Sequence, residues 1–161
     1  FSKKYHSEIL GGNFRLDSIQ AAILRVKLRH LNKWIASRQV NASKYKKFFS
    51  NQNNSPKKQN NPKIRMPVET PGYKHVYNQF VVRVTNRDEL YKYLKNNNIG
   101  SEIYYPIPLN QQPCFNANGQ ANKSLPQSEL AAKETIALPI YPEMTESMIE
   151  KVVTTISEFY S

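Results

Sequence analysis

The sequence predicts an α/β protein of the α+β kind, in which a long N-terminal helix precedes a small, mainly antiparallel sheet with helices packed on one face. Three observations predict this fold class. They are a helical apolar stripe that follows Asp17, a strand–helix–strand order over residues 76–104, and an amphipathic segment that ends the chain. A chain of 161 residues can bury one core of ordinary size, so one domain is expected.

The long helix is expected to begin at Asp17, whose carboxylate can cap the first turn while Gln20 reaches back to it. Apolar residues then recur at helical spacing in two adjacent stripes, formed by Ile19, Ile23 and Val26 and by Leu24, Leu28, Leu31 and Ile35. The pattern allows the helix to continue as far as Phe49, with a bend near His30.

A polar segment follows the long helix. Residues 50–63 contain two prolines and no large apolar side chain, which is typical of a flexible surface loop. The sequence therefore divides into an interdomain segment and long linking helix at 1–49, a flexible polar loop at 50–63, and a small C-terminal α+β domain at 64–161.

The small domain is expected to alternate strands and helices. β-branched and aromatic residues predict a strand over 76–85, in which His75, Tyr77 and Gln79 would share one face. A short helix over 86–94 and a second strand over 101–104 follow. After a short helix near residues 128–135, residues 138–142 are expected to be extended. Thr145 can then cap a closing helix whose inward face is formed by Met148, Val152, Ile156 and Phe159.

The charge is unevenly distributed along the chain. Residues 1–65 hold 15 Lys and Arg against Glu8 and Asp17, about +13, whereas residues 66–161 hold 8 basic and 10 acidic residues, about −2. A basic arm could attract nucleic acid or, equally, a phosphate-rich cofactor or nucleotide-sugar. Nucleic-acid binding is the weaker hypothesis, because no nucleic-acid-binding motif accompanies the charge.

Several classes of protein are disfavoured by composition. The single Cys114 excludes an internal disulfide, and the three histidines, His6, His30 and His75, are not spaced like a zinc site, so no metal is expected. The sequence has no run of 18 apolar residues and no signal-peptide pattern at its start. We therefore expect a soluble cytoplasmic protein without a membrane segment.

Five segments in one order resemble the sugar aminotransferases of the DegT/DnrJ/EryC1/StrS family, pyridoxal 5′-phosphate enzymes that aminate keto groups on nucleotide-linked sugars. The segments are residues 11–24, 28–34, 75–80, 99–109 and 138–145. The resemblance implies the C-terminal portion of an enzyme of the aspartate aminotransferase fold. In that family the Schiff-base lysine, the carboxylate that faces the pyridine nitrogen and most of the phosphate loop lie upstream of these segments. Because the chain also begins with Phe1, we expect part of a longer aminotransferase, inactive alone and without a catalytic residue of its own.

The resemblance implies that two residues bind the cofactor. Asn13 would reach the cofactor phosphate of the neighbouring subunit in a homodimer, and Arg15 would face cofactor or substrate phosphate from the same edge. Free N–H groups and the dipole of a helix start favour an anion at this place. The alternatives are an ordinary turn residue for Asn13 and a surface salt bridge for Arg15.

The resemblance also implies four substrate-side residues. Tyr104, Tyr105 and Asn110 would border the sugar-nucleotide pocket, and His75 would lie near its entrance. Family members commonly have histidine where Tyr104 and Asn110 stand, so a phenol and an amide would replace imidazole contacts, and substrate choice stays open. A proline-stiffened core strand for Tyr105 and a structural histidine for His75 are the alternatives.

The function expected from the resemblance is transfer of an amino group, donated by a molecule such as glutamate, to a nucleotide-linked keto-sugar in polysaccharide or amino-sugar biosynthesis. Two other classes remain open. One is a catalytically dead dimerisation or binding module that uses its apolar first helix. The other, less favoured, is a basic nucleic-acid-binding protein, which predicts steep salt dependence.

Overall fold

The computed structural model describes residues 4–53, 63–118 and 124–161. In this part of the chain the helices are α1 (Ser18–Leu28), α2 (Leu31–Asn53), α3 (Arg87–Asn96), α4 (Pro126–Glu134) and α5 (Glu146–Phe159). The strands are β1 (Ile64–Arg65), β2 (Phe80–Val84) and β3 (Thr135–Leu138). Of the predicted polar loop at 50–63, residues 50–53 continue α2 and residues 54–62 lie outside the described residues.

The predicted fold class is confirmed. The three strands form one antiparallel sheet in the order β1, β2, β3, with Ile64 opposite Val84 and Phe80 opposite Leu138. Alternate residues of β2 are buried and join a single hydrophobic cluster with side chains from α2, α3 and α5. The sheet thus buries one face under helices, as period-two alternation requires of a half-buried strand.

The long helix divides into two. α1 ends at Leu28 and α2 begins at Leu31, so the helix is interrupted at residues 29 and 30, the place where the sequence predicts a bend. The backbone N–H of His30 donates to the Lys27 carbonyl at 3.0 Å, and its own carbonyl accepts from the Trp34 N–H at 3.1 Å. The hydrogen bonds of one helix therefore pass almost directly into those of the next, and α1 leads into α2 through a two-residue connection.

The prediction of a strand over 76–85 is wrong in its first part, because the strand begins only at Phe80. Tyr77 has a φ of 47°, in the left-handed region that a strand residue does not adopt. Tyr77 and Phe80 are both buried in the core, at 1% and 0% exposure. Residues three positions apart point to opposite faces of a regular strand, so the turn at Tyr77 is what allows both rings to point inward.

The predicted strand over 101–104 is also wrong. Glu102 forms only an isolated bridge with Ala137, in which the two residues exchange backbone hydrogen bonds of 3.1 and 2.8 Å. Pro106 and Pro108 follow shortly and have no N–H groups with which to extend a ladder. The third strand is formed instead by Thr135–Leu138, mostly ahead of the segment predicted to be extended.

The closing helix begins where the sequence predicts. The backbone N–H of Met148 donates to the Thr145 hydroxyl at 3.3 Å, which confirms the predicted cap. Val152 and Ile156 are buried as expected, and Phe159 packs against the core from a partly buried position. Met148 was predicted to point inward but is 46% exposed, because it lies on the rim, where its sulfur accepts a hydrogen bond from the Tyr141 hydroxyl at 3.4 Å.

We expect Phe80→Ala to lower the free energy of unfolding by about 3–5 kcal/mol, because a fully buried ring is removed and the cavity it leaves cannot fully collapse. Urea denaturation of the chain measures this change. Phe14→Ala is the matched control: its ring is 97% exposed, and we expect a change within about 0.5 kcal/mol. Equal losses for the two variants would contradict the location of the core.

Candidate cofactor and substrate site

The start of α1 forms an open cavity of about 760 Å³. The Asp17 carboxylate caps the helix by accepting the Gln20 N–H at 2.8 Å, as predicted. The lining residues are Gly12, Asn13, Phe14, Arg15, Asp17 and Gln20. Both predicted cofactor-binding residues therefore lie in one cavity at the N-terminal end of a helix.

The donors in this cavity suit an anion. The Asn13 amide and the Arg15 guanidinium can donate hydrogen bonds to an anion, and the dipole of α1 adds positive potential at its start. The one carboxylate among the lining residues, that of Asp17, is already occupied as the helix cap. Within the described residues, Arg15 forms no ion pair. The residues present thus fit the phosphate of pyridoxal 5′-phosphate.

α1 contributes no buried side chain to the described structure. Its apolar side chains face solvent, with exposures of 76% for Ile19, 54% for Ile23 and 53% for Leu24. Phe14 and Ile9, which precede the helix, are even more exposed, at 97% and 85%. Several large apolar side chains exposed along one short segment are typical of an interaction surface.

The structure brings Tyr104 and Tyr105 together with a third tyrosine, Tyr5. The Tyr5 ring contacts both edge to face, with centroid distances of 6.2 Å to Tyr104 and 5.3 Å to Tyr105. Tyr104 is half-buried, whereas Tyr105 is 60% exposed. Asn110 follows in a short 3-10 helix, Leu109–Gln111. Sequence reasoning did not assign Tyr5 a role, because only tertiary contacts place it here.

His75 lies at a different place, beside α2. Its Nδ1 accepts a hydrogen bond from the Tyr77 N–H at 2.9 Å, and its carbonyl accepts one from the Gln39 amide at 2.8 Å. The neighbouring cavity, of about 440 Å³, is lined by Pro67, Lys74, His75, Val76, Asn78, Gln79 and Val81. None of the three clustered tyrosines and neither Asn13 nor Arg15 belongs to that lining.

An ion pair fixes the segment that carries His75. The Tyr77 hydroxyl donates to the Glu69 carboxylate at 2.6 Å, and the Lys46 ammonium donates to both groups at 2.9 Å. These hydrogen bonds, from Tyr77 first and then Lys46, hold the pKa of the Glu69 carboxyl below its usual 4.5. Burial, and then the bond to Glu69, raise the pKa of the Tyr77 hydroxyl. The network joins α2 to the segment before β2.

The described part of the chain contains no metal-binding cluster and no helix that could span a membrane. Across residues 4–53, 63–118 and 124–161, no cluster of three or more His, Cys, Asp or Glu side chains is arranged to hold a metal ion. In the same part of the chain, no helix has the length and apolar character needed to cross a membrane.

Similarity to one protein family extends over nearly the whole chain. The profile of the DegT/DnrJ/EryC1/StrS aminotransferase family matches residues 1–157, and the chain belongs to that family. It is 40% identical to the "Pleiotropic regulatory protein" of Geobacillus stearothermophilus, over 98% of this chain and 40% of that protein. It is 32% identical to the dTDP-3-amino-3,4,6-trideoxy-alpha-D-glucose transaminase of Streptomyces venezuelae, over 98% of this chain and 39% of that one.

Solved structures agree. The crystal structure of S. venezuelae DesV in complex with a ketimine intermediate matches with a TM-score of 0.76 and 32% identity, covering 98% of this chain and 40% of that one. Helicobacter pylori PseC, at 17% identity, shares the fold with a TM-score of 0.74. The chain spans about 40% of the length of the curated relatives it matches, and it corresponds to their C-terminal portion.

We expect Glu69→Gln to weaken the dependence of stability on acid. Because the folded pKa of Glu69 is lowered, its stabilising contribution is complete above about pH 4.5 and is lost as the pH falls towards the folded value. Thermal unfolding midpoints between neutral pH and pH 3 should therefore drop less steeply in the variant. Glu150→Gln, at an exposed carboxylate, is the control. An unchanged slope for Glu69→Gln would contradict the assigned network.

Proposed function

We propose that this chain forms the C-terminal part of a pyridoxal-phosphate aminotransferase that transfers an amino group to a keto-sugar carried on a nucleotide. The observation that carries the proposal is the cavity at the start of α1, which presents Asn13 and Arg15 as anion donors beside a helix N-terminus. Family membership and relatives named as nucleotide-sugar transaminases support it.

In this proposal Asn13 and Arg15 hold the phosphate of the cofactor. Pyridoxal 5′-phosphate, when bound, supplies the electron sink through which an amino group is exchanged. The neutral amide of Asn13 can orient a phosphate oxygen, and the guanidinium of Arg15 can bind two oxygens at once. Glutamate is the proposed amino donor.

The substrate side of the proposed site is formed by Tyr104, Tyr105 and Asn110. The Tyr104 phenol and the Asn110 amide can each donate and accept hydrogen bonds, which suits the hydroxyl groups of a sugar, and Tyr105 would border the nucleotide that carries the sugar. His75 lines a separate cavity, and we propose that it lies near the entrance of the sugar-nucleotide pocket. We place this activity in the cytoplasm, in the synthesis of amino sugars or polysaccharides.

The exposed apolar side chains of α1 indicate where other parts of a complete enzyme would pack. We propose that in a complete enzyme this face packs against a large domain, which would carry the Schiff-base lysine, and against a second subunit of a homodimer. Isolated from these, the chain would not catalyse transamination. The side chains of Ile19, Ile23 and Leu24 are 53–76% exposed, which supports packing of this face against another domain or subunit.

A second candidate is a dimerisation or binding module without catalysis. It is favoured by the same apolar face, because a chain that used only this face would need no cofactor. The two candidates differ in whether Asn13 and Arg15 bind the cofactor when a large domain is supplied.

Incubation of the purified chain with pyridoxal phosphate, followed by borohydride reduction and peptide mapping, should label no lysine stoichiometrically. A Schiff base that survives at one site needs a lysine activated by its surroundings, which we place in the large domain. Stoichiometric labelling of one unique lysine would overturn this part of the proposal.

Asn13→Ala should weaken cofactor retention by about 10- to 100-fold, because one charge-assisted hydrogen bond, roughly 1.5–3 kcal/mol, is lost. The measurement requires a complete enzyme, such as a chimera in which this chain replaces the matching 39% of the S. venezuelae transaminase. Asn32→Ala, at an exposed asparagine of α2, is the matched control. Equal cofactor affinity in the two chimeras would refute the role of Asn13.

A further inference from the structure

Three tyrosines from distant parts of the sequence form one aromatic surface, here called the tyrosine wall: Tyr5, Tyr104 and Tyr105. Their rings contact one another edge to face, with centroids 5.3 to 6.2 Å apart. This separation is the one that aromatic pairs prefer. Tyr105 remains 60% exposed, so the wall offers an accessible ring to a ligand.

Gln112 holds the first of these tyrosines in place. Its side-chain amide is in a residue only 7% exposed, and it donates to the Tyr5 carbonyl at 2.9 Å. The amide oxygen of the same side chain accepts the Ser7 N–H at 2.9 Å. The Ser7 carbonyl in turn accepts the Cys114 N–H at 3.0 Å. Gln112 thus satisfies backbone groups on both sides of residue 6.

The backbone of Tyr5 shows why such a latch is needed. Tyr5 has a φ of 64°, in the left-handed region that residues other than glycine rarely adopt. A short segment would not hold this conformation by itself. The hydrogen bonds from Gln112, together with a 2.6 Å ion pair between Lys4 and Glu102, fix it on both sides.

We infer that Gln112 is a positioning residue that locks Tyr5 against Tyr104 and Tyr105, and that the wall so formed stacks against the base of the nucleotide-linked substrate. This inference deepens the proposed function and relies on it for the identity of the ligand. Tyr105 contacts the base, whereas Gln112 acts only through Tyr5.

The charge of the wall selects a base over a phosphate. The wall consists of three phenol rings and contains no Lys, Arg, Asp or Glu side chain, and the nearby Lys4 ammonium, 4.8 Å from the centroid of the Tyr5 ring, is paired with Glu102. Such a surface offers little potential to a phosphate. A planar, neutral ring gains from stacking on an exposed aromatic side chain, with little dependence on which base it is. The anion donors lie instead in the cavity at Asn13 and Arg15.

The test is an NMR titration of the full 161-residue chain with uridine 5′-diphosphate and thymidine 5′-diphosphate. Glucose 1-phosphate is the probe that has a sugar and a phosphate but no base, and pyridoxal phosphate is the probe for the cofactor ring. We expect both nucleotides to shift the Tyr105 amide resonance saturably and the other two probes to leave it unchanged. Equal shifts with glucose 1-phosphate, selective binding of pyridoxal phosphate, or no saturable shift at millimolar nucleotide would overturn the assignment.

Variants of Tyr105 test the stacking. Tyr105→Leu should weaken binding of uridine diphosphate by about 5- to 100-fold, the range that loss of one base–aromatic stack produces. Tyr105→Phe keeps the ring and should bind within about twofold of the unaltered chain. Tyr73→Leu, at a tyrosine that is 78% exposed outside the wall, is the matched control. Unchanged affinity in Tyr105→Leu would refute the stack.

Variants of Gln112 test the latch. Gln112→Met keeps the length of the side chain and removes both hydrogen bonds, and we expect loss of the cross-peaks between the Tyr5 and Tyr105 rings together with weaker nucleotide binding. Gln111→Met, at the exposed neighbour, should change neither. Should Gln112→Met fail to fold, Tyr5→Leu removes the same ring without touching the latch and should weaken binding equally. Retained ring contacts and affinity in Gln112→Met, or unchanged affinity in Tyr5→Leu, would overturn the role.

The nucleotide titration measures binding and needs no catalysis. Its outcome can therefore be distinguished from the outcome of an activity assay on the chimera. A chain that binds nucleotides through Tyr105 but gives an inactive chimera would count against transamination alone. An active chimera whose turnover and KM for nucleotide-sugar are unaffected by Tyr105→Leu would count against the wall and against a substrate role for Tyr105, but not against transamination.

Discussion

The stacked rings of Tyr45 and Phe80 join the long helix α2 to the central strand, and the arrangement of the domain depends on them. Their centroids lie 4.8 Å apart, and both side chains are completely buried. The Tyr45 hydroxyl also donates to the Pro139 carbonyl at 2.9 Å, so the same side chain reaches the end of β3. Burial raises the pKa of this hydroxyl well above its usual value, which keeps it a donor. Helix and sheet are thereby fixed by one residue that packs and hydrogen-bonds at once.

That anchor has a consequence for the site. α2 is attached to the sheet through Tyr45, and α1 continues from α2 across two residues. The buried side chains of α2 therefore belong to the hydrophobic core, while α1 carries the exposed apolar side chains and the Asn13 cavity lies at its start. One pair of helices thus connects a packed core to an exposed apolar surface.

Local signals made part of this structure predictable. The caps at Asp17 and Thr145 were found because the residues that form them lie within one helical turn of each other. The prediction of a strand over 101–104 is wrong for two reasons. Its backbone pairing depends on Ala137, which lies far along the chain, and the prolines that follow cannot extend the pairing. The role of Gln112 is not predictable from the sequence, since its partners lie 105 and 107 positions away and a glutamine in a polar segment forms no recognisable pattern. Sequence periodicity indicates which residues of a helix or strand are buried, but it does not indicate which segments contact each other.

The uneven charge of the sequence also has a tertiary explanation. Within the part of the chain that the structure describes, basic residues of the first 65 pair with glutamates of the remainder, among them in the ion pairs Lys4–Glu102, Lys44–Glu146, Lys46–Glu69 and Arg65–Glu134. These pairs are largely solvent-exposed and add little stability individually. They do reduce the positive field over the small domain, which weakens the case for a continuous nucleic-acid-binding surface. The guanidinium of Arg15 forms no such pair within the described residues and lies at a helix start, so positive potential remains at the place where we propose that a phosphate group binds.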